Sequence, residues 1–159
     1  MTSVHPQAQQ APELRVPYWI DKNGDEREAL KLAELGTGYK IIFCFKAECP
    51  GCHSRGFPTL KKLVDALKGK GFGFAVIHTA FDDDPRNSQD RIREMQIRYD
   101  VKVPFGHDPK VGTSYPSFMT DYRTRGTPYF VVIDPSGAIV FADFSLDADR
   151  LIAQSAKLG

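Results

Sequence analysis

Residues 39–45 read YKIIFCF, a nearly continuous apolar run with no alternation of polar and apolar side chains. A strand with one wet face alternates. An unbroken run this short marks a strand buried on both faces, the kind found in sheets covered by helices on either side. A second run, FGFAVIHTA at residues 72–80, has the same character. Between the two, Phe57, Leu60, Val64 and Leu67 recur at helical spacing, with Lys61, Lys62 and Lys68 turned to water. Strand, amphipathic helix and strand in that order imply parallel strands joined by a crossover. Farther on, YFVVI at 129–133 and AIVFADF at 138–144 flank the link DPSG, which predicts a β-hairpin and adds antiparallel pairing. The fold class is therefore α/β with a mixed central sheet.

The remaining elements are read around that centre. Residues 14–20 (LRVPYWI) suit a strand, which Pro17 confines to an edge, and the turn DKNGDE leads to a short helix over 26–35. Ile92, Met95 and Tyr99 mark another helix, residues 101–105 a short strand, and Asp147 the cap of a C-terminal helix. The Gly-, Pro-, Ser- and Thr-rich stretch 106–126 carries no assignable pattern. One domain over residues 13–159, behind a disordered lead at 1–12, fits the length of 159 residues. The 21 basic and 20 acidic residues nearly cancel, so nothing points to nucleic acid or an anionic membrane. No apolar stretch is long enough for a transmembrane helix. The N-terminus lacks a signal-peptide pattern, which leads to a cytoplasmic expectation, or a periplasmic one if a signal has been removed.

Directly behind the first buried strand comes FKAECPGCHSRGFP. The strand before and the helix after place Cys49 at a helix start, with Pro50 at the first helical position, where its missing N–H costs nothing. Unpaired amides and the positive end of the helix dipole favour a thiolate at Cys49. Cys52, one turn in, is expected to be more buried and to keep its proton. An exposed nucleophile and a shielded resolving thiol are what exchange through a mixed disulfide requires.

At these residues the chain resembles the thioredoxin-like superfamily, and within it the TlpA/ResA-like redoxin branch. FCFKAECPGC parallels that family's strand and W-C-x-x-C, and RGTPYFVVIDPSGAIV parallels its cis-proline strand and following hairpin. The long separation between Cys52 and Pro128 fits the branch with an extra strand–helix unit. The resemblance implies a three-layer α/β/α domain and a thiol–disulfide oxidoreductase acting on protein or small-molecule disulfides, reset by an electron donor yet to be identified. It implies a redox-active Cys49–Cys52 disulfide with no further cofactor and no metal. It also implies a cis Pro128, with Thr127 presenting its backbone to substrate. Three departures stand out. Glu48 replaces the usual Trp, which makes it a proton-transfer candidate; the preceding strand lacks the family's buried acid; and Pro58 comes one position late, after Gly56, which predicts a local bulge.

Other chemistries compete for the same residues. CPGCH is formally a haem c attachment motif, but it ends a β-strand in a mixed sheet, and His53 reads as a first-turn residue. Zinc needs four ligands, whereas Cys44 lies inside a buried strand and His5, His78 and His107 are scattered. The acids Asp82, Asp83 and Asp84 suit a helix approach as well as a cation. A peroxiredoxin-like thiol peroxidase is the main alternative. Its P-x-x-x-T/S-x-x-C pattern finds Ile42 and Lys46 before Cys49, and Phe45 and Cys49 before Cys52.

Overall fold

A computed structural model describes residues 9–158. Seven strands form one sheet in the order β2-β1-β5-β4-β3-β6-β7. Its centre is β3 (Lys40–Phe45), parallel to β4 (Gly73–Ala80) and antiparallel to β6 (Tyr129–Ile133), with β4 parallel to β5 (Phe105–Pro109). The two-residue period of β3 sorts its core: Ile41, Phe43 and Phe45 face one layer, Ile42 and Cys44 the other. On the first face pack α1 (Phe57–Leu67), α2 (Asp90–Arg98) and α4 (Ala148–Leu158). The second face is covered by α3 (Ser117–Tyr122) together with Leu14, Val16 and Leu30 from the N-terminal segment. The expected three-layer mixed sheet is present. Thr127–Pro128 enters β6 as a cis peptide.

The hairpin of β6 and β7 (Ile139–Asp143) closes as its sequence indicates. Asp134 Oδ1 accepts from the amides of Ser136 and Ala138, and Gly137 takes the positive φ of 90° that the turn needs. Asp147 caps α4 by accepting from the Arg150 amide at 3.1 Å.

Several expectations are corrected. Residues 26–35 form no single helix: Glu26–Arg27 is β2, paired back on β1 (Tyr18–Ile20), and Leu32–Leu35 is a separate 3₁₀ turn. Asp21 Oδ1 accepts from both the Asn23 and Asp25 amides, so the tight turn feeds a hairpin rather than a helix. For the same reason β1 is not an edge strand. It lies between β2 and β5, and Pro17 precedes its first residue, where no ladder donor is lost. The strand expected at 101–105 begins at Phe105 instead; Val101 and Val103 are buried, and the Val103 carbonyl accepts from Gln96 Nε2. The unassigned stretch holds most of β5 and all of α3, whose Phe118 amide donates to the buried Asp108 carboxylate at 2.7 Å. The lead expected to be disordered over 1–12 falls partly outside the described residues. Its residues 9–11 are bonded to the end of the hairpin, with the Ala11 amide on the Gly137 carbonyl and the Ile139 amide on the Gln9 carbonyl, both at 2.8 Å.

One close approach fixes how the 3₁₀ turn seats on the sheet. A Cβ on Gly73 would stand 2.0 Å from the Leu35 carbonyl oxygen, a backbone atom that cannot swing aside, whereas Gly69 has nothing within 4 Å. Gly73→Ala is expected to destabilise the fold by about 1–3 kcal/mol and to lower Tm, while Gly69→Ala leaves Tm unchanged or slightly raised. Equal melting curves for the two variants would contradict this seating.

Candidate active site

The site forms where β3 runs out. After Phe45 the chain turns through residues 46–48, with the Cys49 amide donating to the Lys46 carbonyl at 3.1 Å. The helical turn then starts: the Cys52 amide donates to the Cys49 carbonyl at 3.1 Å and also reaches the Cys49 sulfur at 3.2 Å. A backbone N–H aimed at a sulfur is a fixed partial positive charge for any anion formed there. Cys49 is half-buried, while Cys52 has 0% of its surface exposed. Burial, with a smaller contribution from the neighbouring Cys49 sulfur, pushes the Cys52 thiol up to about 12. Hydrogen bonds from the Lys46 backbone and the Thr127 side chain pull it partly back. The structure thus brings Cys49, Cys52, Thr127 and Pro128 together.

Pro128 packs against the motif helix at two glycines. A Cβ on Gly51 would lie 3.4 Å from the Pro128 ring, ordinary contact. One on Gly56 would meet Pro128 at 3.0 Å and the Phe43 ring at 2.8 Å, so position 56 tolerates no side chain without movement. The bulge expected near Pro58 is a π-helical segment, Cys52–Gly56, with the Phe57 amide bonded to the Cys52 carbonyl. The wider turn immediately precedes Pro58, the second residue of α1, and accommodates a residue that has no N–H to give to the preceding turn.

The proton-transfer role expected for Glu48 is corrected by its contacts. Its two oxygens take Arg86 at 3.1 Å and Arg91 at 2.9 Å, and the Arg91 hydrogen bond, with the charge of both guanidiniums, lowers its pKa. A carboxylate held as the anion by two cations is a poor proton reservoir. The three acids of the following loop each have a basic partner: Asp82 pairs with Lys46, Asp83 with Lys110 and Asp84 with Arg86. Among the described residues no group of three or more His, Cys, Asp or Glu side chains is placed to hold a metal. Cys44 is fully buried on the opposite face of the sheet, and burial pushes its thiol well above the ordinary range.

Sequence reasoning missed a histidine pair beneath the site. His78 and His107 face each other across paired strands with their Nδ1 atoms 3.0 Å apart, and His78 stacks on Phe45. Both are buried, and burial lowers their pKa values to about 3 and about 4 respectively, with the partner ring, Arg91 and Lys46 adding to the shift at His78. The one available signal was their location in or next to a strand. Pairing across parallel strands leaves no mark in either segment.

A protein-family model described as the AhpC/TSA family matches residues 8–142. The chain belongs to the AhpC/TSA family. That family is one of redox enzymes, and the thioredoxin-like fold read from the sequence is the fold of its structural neighbours. A thioredoxin-like superfamily protein superposes with a TM-score of 0.81 at 28% identity, covering 95% of this chain and 96% of that one. A thiol-disulfide isomerase from Corynebacterium glutamicum gives 0.76 at 24% identity, over 93% and 96% of the two chains. A secreted Mycobacterium tuberculosis disulfide oxidoreductase, homologous to E. coli DsbE, gives 0.62 at 16%, over 88% and 94%. The search of curated proteins returned no match. No helix among the described residues is long and apolar enough to cross a membrane.

The histidine pair makes acid stability a measure of site burial. An unfolded histidine takes up a proton near pH 6.5, while His78 and His107 stay neutral until about 3 and about 4 in the fold. Below pH 6.5 the unfolded chain therefore binds more protons. Stability falls as the pH falls, by up to about 1.4 kcal/mol per pH unit for each histidine, until the folded values are reached. Urea midpoints between pH 7 and 5, above the carboxylate range, are expected to drop accordingly, and His78→Gln to flatten the slope by about one proton. A slope identical in wild type and variant would contradict the assignment.

Proposed function

We propose that the chain is a thiol–disulfide oxidoreductase in which Cys49 is the nucleophile and Cys52 the resolving thiol. The observation that supports this reading most is the placement of the two sulfurs. One is half-buried at a helix start with an amide 3.2 Å away; the other is sealed beneath it with its proton held. The Cys49 thiolate attacks a substrate disulfide, forming a mixed disulfide and releasing one substrate thiolate. Cys52 gives its proton to that thiolate and attacks the Cys49 sulfur, breaking the mixed disulfide and releasing the second thiolate. Two electrons pass to the substrate, and a Cys49–Cys52 disulfide remains. A thiol-based donor restores the dithiol, and the cycle needs no bound cofactor. Pro128 and the backbone of Thr127 shape the surface where a protein disulfide docks as an added strand.

Membership of the AhpC/TSA family keeps a thiol peroxidase as the second reading. Against it, the positions that would supply a proline and a hydroxyl before Cys49 hold Ile42, fully buried, and Lys46, ion-paired with Asp82.

Cys49→Ser is expected to lose insulin-disulfide reduction altogether, by at least 10³-fold on the scale of a missing nucleophile, and Cys52→Ser to accumulate a covalent adduct with substrate at Cys49. A Cys49→Ser protein as fast as wild type would refute the mechanism. Consumption of one equivalent of hydrogen peroxide within a mixing time, against slow insulin reduction, would replace it with the peroxidase.

A further inference from the structure

Two histidines converge on the backbone of one residue, Ala47, two residues before Cys49, one on the peptide group that precedes it and one on the peptide group that follows. Ala47 is 1% exposed, so both of its backbone groups need partners inside the protein. Its N–H donates to His78 Nε2 at 3.2 Å, and its carbonyl lies 2.7 Å from His53 Nε2. The peptide fixes the tautomers, because an amide only donates and a carbonyl only accepts. His78 accepts at Nε2, so its proton sits on Nδ1 and donates to His107 Nδ1 at 3.0 Å. His53 donates from Nε2, so its Nδ1 accepts from the Tyr99 hydroxyl. Two short relays result, Tyr99 to His53 to the Ala47 carbonyl and the Ala47 N–H to His78 to His107, and within each the first bond polarises the second. The rings are wedged in place: His78 stacks on Phe45 at 4.9 Å, and Tyr99 on Phe57 at 4.2 Å.

We propose that His53 and His78 are positioning residues that grip the two peptide groups flanking the Ala47 Cα and so hold residues 46–48 in the geometry the dithiol requires. The neighbouring groups show what depends on that grip. The Lys46 carbonyl receives the Cys49 amide at 3.1 Å, and Glu48 is tied to Arg86 and Arg91. Movement of this segment would shift the Lys46 carbonyl that receives the Cys49 amide, and with it the helix start whose Cys52 amide reaches the Cys49 sulfur. His53 also sits on the motif helix next to Cys52, so its bond to Ala47 ties the helix start back to the strand end. Thiolates accept amide hydrogen bonds more strongly than a disulfide does. Loosening the grip therefore destabilises the reduced form and makes the dithiol more reducing.

This inference rests on the oxidoreductase reading for its meaning, but its test does not use a substrate. Two variants at one position separate grip from bulk: His53→Leu removes the donor to Ala47, and His53→Gln retains an N–H at a similar reach. The dithiol–disulfide equilibrium against glutathione is expected to shift about tenfold toward the disulfide in His53→Leu, about 30 mV more negative, and to return to within about threefold in His53→Gln. The alkylation rate of Cys49 at fixed pH, which requires no disulfide, is expected to fall and recover in the same order. Should His53→Leu not fold, Tyr99→Phe keeps the ring stack but deletes the hydroxyl bonded to His53 Nδ1, and a shift of the same sign is expected. Unchanged equilibrium and alkylation in the folded variants would overturn the proposal, even with a lowered Tm. So would a His53→Gln protein as displaced as His53→Leu. Absence of insulin reduction by wild type would count against the oxidoreductase reading alone.

Discussion

The close contact between the motif helix and Pro128 sets the rest of the site. At Gly56 the helix lies so near the Phe43 and Pro128 rings that the absence of a Cβ is a steric requirement. Because the helix is pinned there, Cys52 is forced under Cys49 and against the Thr127 side chain, out of reach of solvent. The π-helical segment Cys52–Gly56 belongs to the same constraint. It inserts the extra backbone needed to bring the glycine to the proline ring and lets α1 restart at Phe57 with Pro58 in a position it tolerates. The half-buried sulfur of Cys49 and the sealed sulfur of Cys52 are thus consequences of packing before they are features of chemistry.

Charge around the dithiol is arranged with similar economy. Acidic and basic side chains of the rim pair with one another, Glu48 with Arg86 and Arg91, Asp82 with Lys46. At the sulfurs themselves the environment is local and directional: a backbone amide at the Cys49 sulfur and a burial that keeps the Cys52 proton in place. Exposed ion pairs contribute little stability and weaken with salt, whereas amides held by a folded turn act at any ionic strength. The turn over residues 46–48 therefore matters more to the chemistry than the charges that decorate it.

Much of the architecture was legible because burial on both faces leaves a direct mark in sequence. The runs at 39–45, 72–80 and 129–133 became β3, β4 and β6 with ends within a residue of expectation. CPGC at the strand-to-helix junction and the Thr-Pro before β6 placed the candidate site. The N-terminal hairpin was not legible, since strands of two and three residues hold no periodicity, and Asp21 acts through backbone amides that no residue type advertises. The strand at β5 was displaced because Val101 and Val103 are apolar for packing, not for pairing. The contacts of Glu48 and the histidines were missed for a common reason: their partners, Arg86, Arg91, Ala47 and Tyr99, come from distant segments or from the backbone, and only the folded chain brings them together.

The central claim is that reactivity is divided unequally between two adjacent sulfurs. Treatment of the fully reduced protein with less than one equivalent of iodoacetamide at neutral pH, followed by peptide mapping, reads that division directly. Label is expected on Cys49, with Cys52 and Cys44 unmodified until the protein is unfolded. Label on Cys52 in the native protein, equal to or ahead of Cys49, would contradict it.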